Sequence, residues 1–491
     1  MKAFSKLFAT AGLVLICFSC EKTPDFPVFR EPQVDLDVDA IVKRGYINAL
    51  VDNNSFSYFI YKGHPIGYEY ELLQLLAKQL NVALKIKVTS GVETAIEQLN
   101  LGECDIIAFP LTVTKTTRKY VEFSRPHYNT YPVLVQRKPE NWRKLSLDEI
   151  NNNLIRDPVD LIGKQVYVME GSSHLVRLQH LSEELGGDII IATDSLTAES
   201  ESLIRRVALG EIDYTVSDHI MARVNSAYYP NLDISTVLNV PQQVAWGMRK
   251  NAPNLKKAID DWLTAIKQKP TFMVIYNKYF RSPRTALTHL QSDYSSLGGN
   301  KLSPYDEMIQ AGAAQLGWDW RLLASVVYQE SKFDPVGESW AGARGLMQLM
   351  PETAKRFGAT NVNDPSESLK AGVKYLAYLQ KYWTKRIKNP DDRIKFILAS
   401  YNTGLSHILD ARKLCVKYKR DETSWANVEE FLLKKSDPKY YRDPVVVTGY
   451  CKCEEPVNYV REILARYEEY KIHISPPLFD EEVVGSLTSA K

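Results

Sequence analysis

The chain has 491 residues, 45% of them hydrophobic and 24% charged, with a formal net charge of +2. That is enough apolar material for more than one core, and it supplies no global basic field that would attract nucleic acid. No Walker loop, dinucleotide fingerprint or His-Glu-x-x-His occurs and the eight histidines do not cluster at ligand spacing, so neither a cofactor nor a metal is expected.

Residues 1–20 stand apart. Lys2 and Lys6 precede an apolar run, Leu7 to Phe18, which is too short to span a bilayer and has the shape of a secretory signal. It closes on Cys17-Phe-Ser-Cys20, where Ser19 before Cys20 resembles a bacterial lipobox. The resemblance implies that Cys20 is lipidated as the first residue of the mature protein, although Cys17 stands where the motif usually has leucine. Plain secretion with signal-peptidase cleavage nearby is the alternative. Residues 21–37, with Pro24, Pro27 and Pro32, read as an extended tether. The expected location is the cell envelope, with the anchor in the outer membrane and the protein facing the periplasm.

From 38 to 283 short strands alternate with helices: a strand from Arg44, a helix over Glu71–Leu80, a strand at Leu84–Val88 and another from Asp105. That alternation predicts an α/β domain with open sheets. Gly67-Tyr-Glu-Tyr-Glu71-Leu-Leu, Leu101-Gly-Glu-Cys-Asp105 and the run from Arg118 to Tyr128 together resemble the family-3 periplasmic solute-binding fold of amino-acid receptors. The resemblance implies two lobes closing on a small ligand. The chain would cross between them near Val133–Arg137 and return near Val244–Met248, leaving Lys250–Phe280 to complete lobe one.

The same resemblance matches Arg118 to an arginine that grips a carboxylate with two prongs and Thr112 to a hydroxyl partner, in a run one residue longer than the family's usual one. Ser172 and Ser173 match a lobe-two turn at a helix N-terminus, suited to an anion. Asp218 matches the acid that accepts a ligand ammonium. The ligand implied is an amino acid or a peptide fragment of the cell wall; the plainer reading of Arg118 is a pairing with a surface acid.

Residues 284–302 mix small and polar side chains and read as a linker. Ser303-Pro304-Tyr-Asp306 then reads as N-cap, first-turn proline and capping acid. Helical runs follow at 305–316, 320–330, 351–357, 366–382, 392–402, 404–414 and 456–470, which makes 303–475 a mostly helical module; 476–491 reads as a frayed tail. Within that module Asp319 is a plausible N-cap, and Leu323, Val326, Val327 and Glu330 recur at three- and four-residue steps. Glu330 therefore shares the apolar face and is expected to be half-buried. Desolvation raises a carboxyl pKa, which suits a general acid near neutral pH. The competing reading is a helix-terminal glutamate facing water.

Glu330-Ser331, then Gly345-Leu-Met-Gln348-Leu, then Ala399-Ser-Tyr401-Asn402-Thr-Gly404 resemble, in this order, the motifs of the Slt-type lytic transglycosylases with their lysozyme-like domain. The resemblance implies that Glu330 is the sole catalytic acid and base, that Ser339 polarises it, and that Gln348, Tyr401 and Asn402 line a sugar cleft. Tyr459, in Glu455-Pro-Val-Asn-Tyr459, matches a tyrosine near the acid, with Pro456 where the family usually has threonine. Ordinary glycosidases pair two carboxylates. One suffices if the substrate's own C6 hydroxyl attacks, which is the route the resemblance implies, leaving 1,6-anhydro-N-acetylmuramic acid. Asp334, before Pro335, reads as a turn residue rather than a second carboxylate.

The two modules in this order resemble the membrane-bound lytic murein transglycosylase F family, which implies peptidoglycan strands as the partner. Two alternatives stand beside it: a solute or wall-fragment receptor whose lysozyme-like domain binds glycan without cleaving it, and a muramidase that uses water. For the cysteines, a disulfide of Cys415 with Cys451 or Cys453 ranks ahead of a free thiol, and a free thiol ahead of zinc.

Overall fold

The computed structural model describes residues 31–89, 91–109, 111, 113, 117–194, 201–281, 292–297 and 301–474. Cys20, Thr112 and the tail after 474 lie outside the described residues. The chain opens with α1 (Val38–Arg44), β1 (Tyr46–Val51), β2 (Phe59–Tyr61), β3 (His64–Ile66), α2 (Tyr68–Gln79), β4 (Ala83–Val88), α3 (Val92–Asn100), β5 (Ile106–Ile107) and β6 (Glu122–Phe123). β7 (Tyr128–Thr130) leads to β8 (Pro132–Arg137), α4 (Leu147–Asn152), β9 (Gln165–Met169), α5 (Ser173–Leu185), β10 (Ile190–Asp194), α6 (Ser202–Leu209), β11 (Tyr214–Asp218), α7 (His219–Tyr228) and β12 (Leu232–Asp233). β13 (Gln242–Val244) returns to β14 (Gly247–Met248), α8 (Pro253–Ile266) and α9 (Pro270–Phe280).

Two five-stranded sheets result, in the orders β4-β1-β5-β14-β6 and β10-β9-β11-β8-β12, one per lobe. In each the first three strands run parallel and the fourth, β14 or β8, lies antiparallel to both its neighbours. The crossings differ from the expected ones. Val133–Arg137 belongs to the lobe-two sheet and Gly247–Met248 to the lobe-one sheet, while the antiparallel pair β7–β13 runs between them. The apolar run Pro132 to Val135 is buried as a sheet strand, which leaves the shorter, more polar β7 to make the passage. Asp37 ties the ends of lobe one together: its carboxylate caps α1 at the Val38 amide and also accepts from the amides of Asn254 and Leu255.

The second module comprises α10 (Asp306–Leu316), α11 (Trp320–Ser331), α12 (Pro351–Arg356), α13 (Pro365–Thr384), α14 (Pro390–Thr403), α15 (Leu405–Lys417), α16 (Trp425–Lys434), α17 (Pro438–Tyr441) and α18 (Glu454–His473). α16 and α17 fall where no helix was expected, and Trp425, Val428, Phe431 and Leu432 bury one face of α16. α11 runs through the centre, buried at every position from Trp320 to Tyr328. Asp319 caps it by accepting from the Arg321 amide at 2.9 Å. The helix ends before Pro335 is reached, at Lys332 and Phe333, both with positive φ.

The two modules meet through the β2–β3 hairpin. Lys62 and Gly63 form its two-residue turn, both with positive φ, the geometry that matches strand twist. The turn rests on α11 and α18: the Tyr470 hydroxyl donates to the Gly63 carbonyl, and His64 Nδ1 lies 2.8 Å from the Tyr328 hydroxyl. Ile60 is buried within the helical core, and Ser296 in the connecting segment bonds both its amide and its carbonyl. A Cβ on Gly63 would come within 2.7 Å of Phe333 and of the Tyr470 hydroxyl. Gly63→Ala is therefore expected to cost about 1–3 kcal/mol, read as a lowered melting temperature and faster proteolysis between the modules.

Candidate active site

Glu330 lies on the last turn of α11, and its Oε1 accepts a hydrogen bond from the hydroxyl of Tyr459 on α18. The residue is half-buried as a whole, but its carboxyl group is desolvated. Burial pushes its pKa up to about 8, and the bond from Tyr459 pulls weakly the other way. Tyr459 and Tyr401 are both buried and both feel the glutamate charge, which places the three side chains in one electrostatic neighbourhood. Tyr401 donates to the Met347 carbonyl at 2.8 Å, and its ring packs 5.1 Å from that of Tyr375. Asn402, next in sequence, is exposed at the end of α14.

The loop after α11 is shaped by what its glycine permits. Gly345 has φ of 78°, and a Cβ there would fall 1.9 Å from the Val362 carbonyl oxygen and 2.7 Å from Ser368 Oγ. Only a glycine lets this turn sit against α13. Leu346 and Met347 then plug into the core, and Ser368 Oγ accepts from the Met347 amide. Gln348, itself at φ of 43°, donates from Nε2 to the carbonyls of Gly337 and Gly345, tying the two arms of the loop together.

Among the described residues Ser339 makes no hydrogen bond to Glu330. Its Oγ accepts from the Ala343 amide at 2.9 Å inside its own turn, and the hydroxyl bonded to Glu330 is that of Tyr459. Ser331, to which the sequence reading gave no role, donates to the carbonyls of Val327 and Leu346 and fastens the acid's helix to the loop. Its place in the Glu-Ser motif was the available signal. Asp334 is exposed and accepts from the Val336 amide, as a turn residue does.

The residues singled out in the amino-terminal module are less gathered. Asp218 ends β11 with a carboxyl group pushed up by burial, and Thr130 Oγ1 approaches it at 3.4 Å. Ser172 caps α5 by accepting from the Leu175 amide, Ser173 is exposed, and Arg118 is exposed on a single 3-10 turn. Among the described residues no hydrogen bond or ion pair joins Arg118 to Asp218 or to either serine. Sequence reasoning missed Glu201. Its Oε1 reaches from lobe two to the amide and hydroxyl of Ser55 in lobe one, and burial pushes its pKa up to about 7. No local pattern marks such a pair.

Residues 47–282 match the model of the bacterial extracellular solute-binding proteins, family 3, and residues 307–423 match that of the transglycosylase SLT domain. The protein is thus a fusion of a two-lobed solute-binding module with a helical SLT module. It is 33% identical over 431 residues to membrane-bound lytic murein transglycosylase F of Desulfosudis oleivorans, covering 88% of this chain and 91% of that one. It is 28% identical over 490 residues to the protein of the same name from Pseudomonas fluorescens, covering 98% and 93%. The chain belongs to the membrane-bound lytic murein transglycosylase F family. Among solved structures, a mutant of ArgBP from T. maritima is similar at 25% identity and a TM-score of 0.43, covering 50% of this chain and 99% of that one.

The raised pKa has a consequence for stability. Between the ordinary carboxyl value of 4.5 and about 8 the folded protein holds a proton at Glu330 that the unfolded chain has released. Stability must therefore fall as pH rises through that window. Glu330→Gln removes the effect, so its melting temperature is expected to draw progressively above that of wild type from pH 4.5 to 8, and the gap should level off beyond. A constant gap across the window would contradict the burial of the acid.

Proposed function

We propose that this protein is a peptidoglycan lytic transglycosylase that cleaves the bond between N-acetylmuramic acid and N-acetylglucosamine with one carboxyl group serving twice. The observation that carries the reading is a desolvated carboxyl group on the last turn of α11, bonded to Tyr459 and with its pKa pushed up by burial to about 8, whose neighbour Asp334 is turned into its own loop. At neutral pH Glu330 holds its proton and can give it to the departing glycosidic oxygen. The C6 hydroxyl of the muramic acid residue attacks its own C1, forming the 1,6-anhydro ring. Glu330, now a carboxylate, takes the C6 hydroxyl proton and is restored, while the N-acetyl group assists from the other face. Tyr459 would steady the carboxylate during its brief existence. Gln348, Tyr401, Asn402 and Ser339 are assigned to the cleft around the glycan strand.

Mass spectrometry of the fragments released from purified wall is the test. Wild type should yield anhydro-ended products, and Glu330→Gln should lower their release by about 10²- to 10⁴-fold. Reducing-end products in their place would favour a water-using muramidase. Undiminished digestion by the variant would show that the acid is not Glu330, and no digestion by wild type would leave only the receptor reading, with a glycan-binding but inactive second module.

The amino-terminal module is read as a sensor for an amino acid or a wall-derived peptide, with Thr112, Arg118, Ser172, Ser173 and Asp218 as its ligand residues. The hairpin supports a link to catalysis, because its turn touches Tyr328 and Tyr470 on the two helices that carry Glu330 and Tyr459. Lobe closure would then bias the groove. Wall cleavage by the intact protein should change severalfold on adding soluble wall fragments, and Arg118→Ala should abolish that response. Indifference both to the fragments and to the substitution would remove the sensor role. Anchoring is assigned to a lipid on Cys20 in the outer membrane; among the described residues no helix is long and apolar enough to cross a bilayer.

A further inference from the structure

His407 and the Cys451–Cys453 pair come from two separate stretches of the helical module, yet one ligand-capable atom of each residue lies within 4.8 Å of those of the other two. His407 is in the first turn of α15. Cys451 is buried in the segment before α18, and Cys453 is buried at the N-cap of that helix. Cys451 Sγ also lies 4.0 Å from Thr403 Oγ1, directly after Tyr401 and Asn402, and α18 carries Tyr459. The cluster therefore adjoins the end of α14 that carries Tyr401 and Asn402.

The two sulfurs are bonded to each other here, and Cys415 is free and buried, so the expected pairing of Cys415 with either of them does not form. A cross-link between residues two apart closes a minimal ring and removes little chain entropy. It fixes Cys451 to Cys453 and neither to the rest of the fold. The same sulfurs, once reduced and shared with the imidazole of His407, would tie α15 to α18 across everything between them.

The surroundings suit such a site. His407 Nδ1 lies 3.1 Å from Thr448 Oγ1 and 3.0 Å from Lys435 Nζ, and Thr448 Oγ1 in turn donates to the carboxylate of Asp410. For Nε2 to be the free lone pair, the Nδ1 proton goes to Thr448 Oγ1, and Lys435 Nζ, which can only donate, spends its protons on Asp410 and Thr448. That is the outer-shell arrangement that orients metal-bound histidines. Asp410 is held by the amides of Val447 and Thr448, so the relay is anchored in the same segment that delivers Cys451. Charge also balances. Lys435 and Asp410 are buried partners that cancel, and two thiolates with one divalent cation add no net charge to the pocket.

We propose that, with both cysteines reduced, His407, Cys451 and Cys453 bind one thiophilic divalent cation of the zinc class that staples the start of α15 to the N-terminus of α18. Two sulfur donors and an imidazole select a cation of that softness. An external thiol or phosphine reductant supplies two electrons, and two protons from water complete the conversion of the S–S bond to two thiols. Cation binding then forms two metal–sulfur bonds and one metal–nitrogen bond and releases the two thiol protons.

The test uses the full chain, reduced with a phosphine, desalted without oxygen and titrated with Co²⁺. One equivalent should give a near-ultraviolet thiolate-to-cobalt band that Zn²⁺ abolishes. The band should be absent from the oxidised chain and from Cys451→Ser and Cys453→Ser, and cobalt affinity should fall at least about tenfold in His407→Ala. A reduced wild type without the band overturns the proposal, as does a band that survives both serine substitutions together. If the serine variants fail to fold, His407→Ala decides, because it truncates a partly exposed side chain: undiminished affinity there overturns the site.

Discussion

A carboxylic acid kept out of water at the meeting of two helices is the constraint on which the rest depends. Glu330 lies on the last turn of α11, a helix buried at every position from Trp320 to Tyr328, and Tyr459 on α18 supplies its hydroxyl partner. Desolvation makes ionisation costly, and that cost is a standing load on stability above the ordinary carboxyl range. The load is offset by the core around α11, where Trp320, Leu323, Val326 and Val327 are buried. The acidity of Glu330 and the packing of this helix are therefore inseparable. A change that loosens the contact of α11 with α18 lets water reach the carboxyl group and returns its pKa to the ordinary range.

The loop that follows is fitted to the same purpose. Gly345 permits an approach to Val362 that any Cβ would forbid, Ser331 bonds the loop back to the helix, and Tyr401 bonds the Met347 carbonyl. Three segments distant in sequence are thereby fixed to one another by backbone carbonyls. The side chains of Gln348 and Ser339 spend their described hydrogen bonds on holding this loop.

How much of this was legible in the sequence depended on how local the cause was. The cap at Asp319 and the buried face of α11 follow from spacing within a single helix, so both could be read directly. α16 carries a comparable signal in Trp425, Val428, Phe431 and Leu432, but the charged stretch around it masks that face. The passage between lobes was placed a few residues late because an apolar strand dominates its neighbourhood, whereas β7 has only three residues to announce itself. The partner of Glu330 depended on α18 packing against α11, and the pairing of Cys451 with Cys453 on which sulfurs the fold leaves adjacent. Neither cause is periodic, and neither is short-range.

The contact between Ser55 and Glu201 carries a consequence for the cleft between the lobes. Those donors, an amide and a hydroxyl, are the sort that would receive an incoming anionic group, and the protein already occupies them with its own side chain. An arriving anion that uses Ser55 must evict this internal tenant, so the strength of capture is diminished by the fraction of time the tenant is at home. Because burial raises the tenant's pKa to about 7, its grip weakens on acidification just as it takes up a proton. The bond that bridges the two lobes is thereby made sensitive to the surrounding acidity.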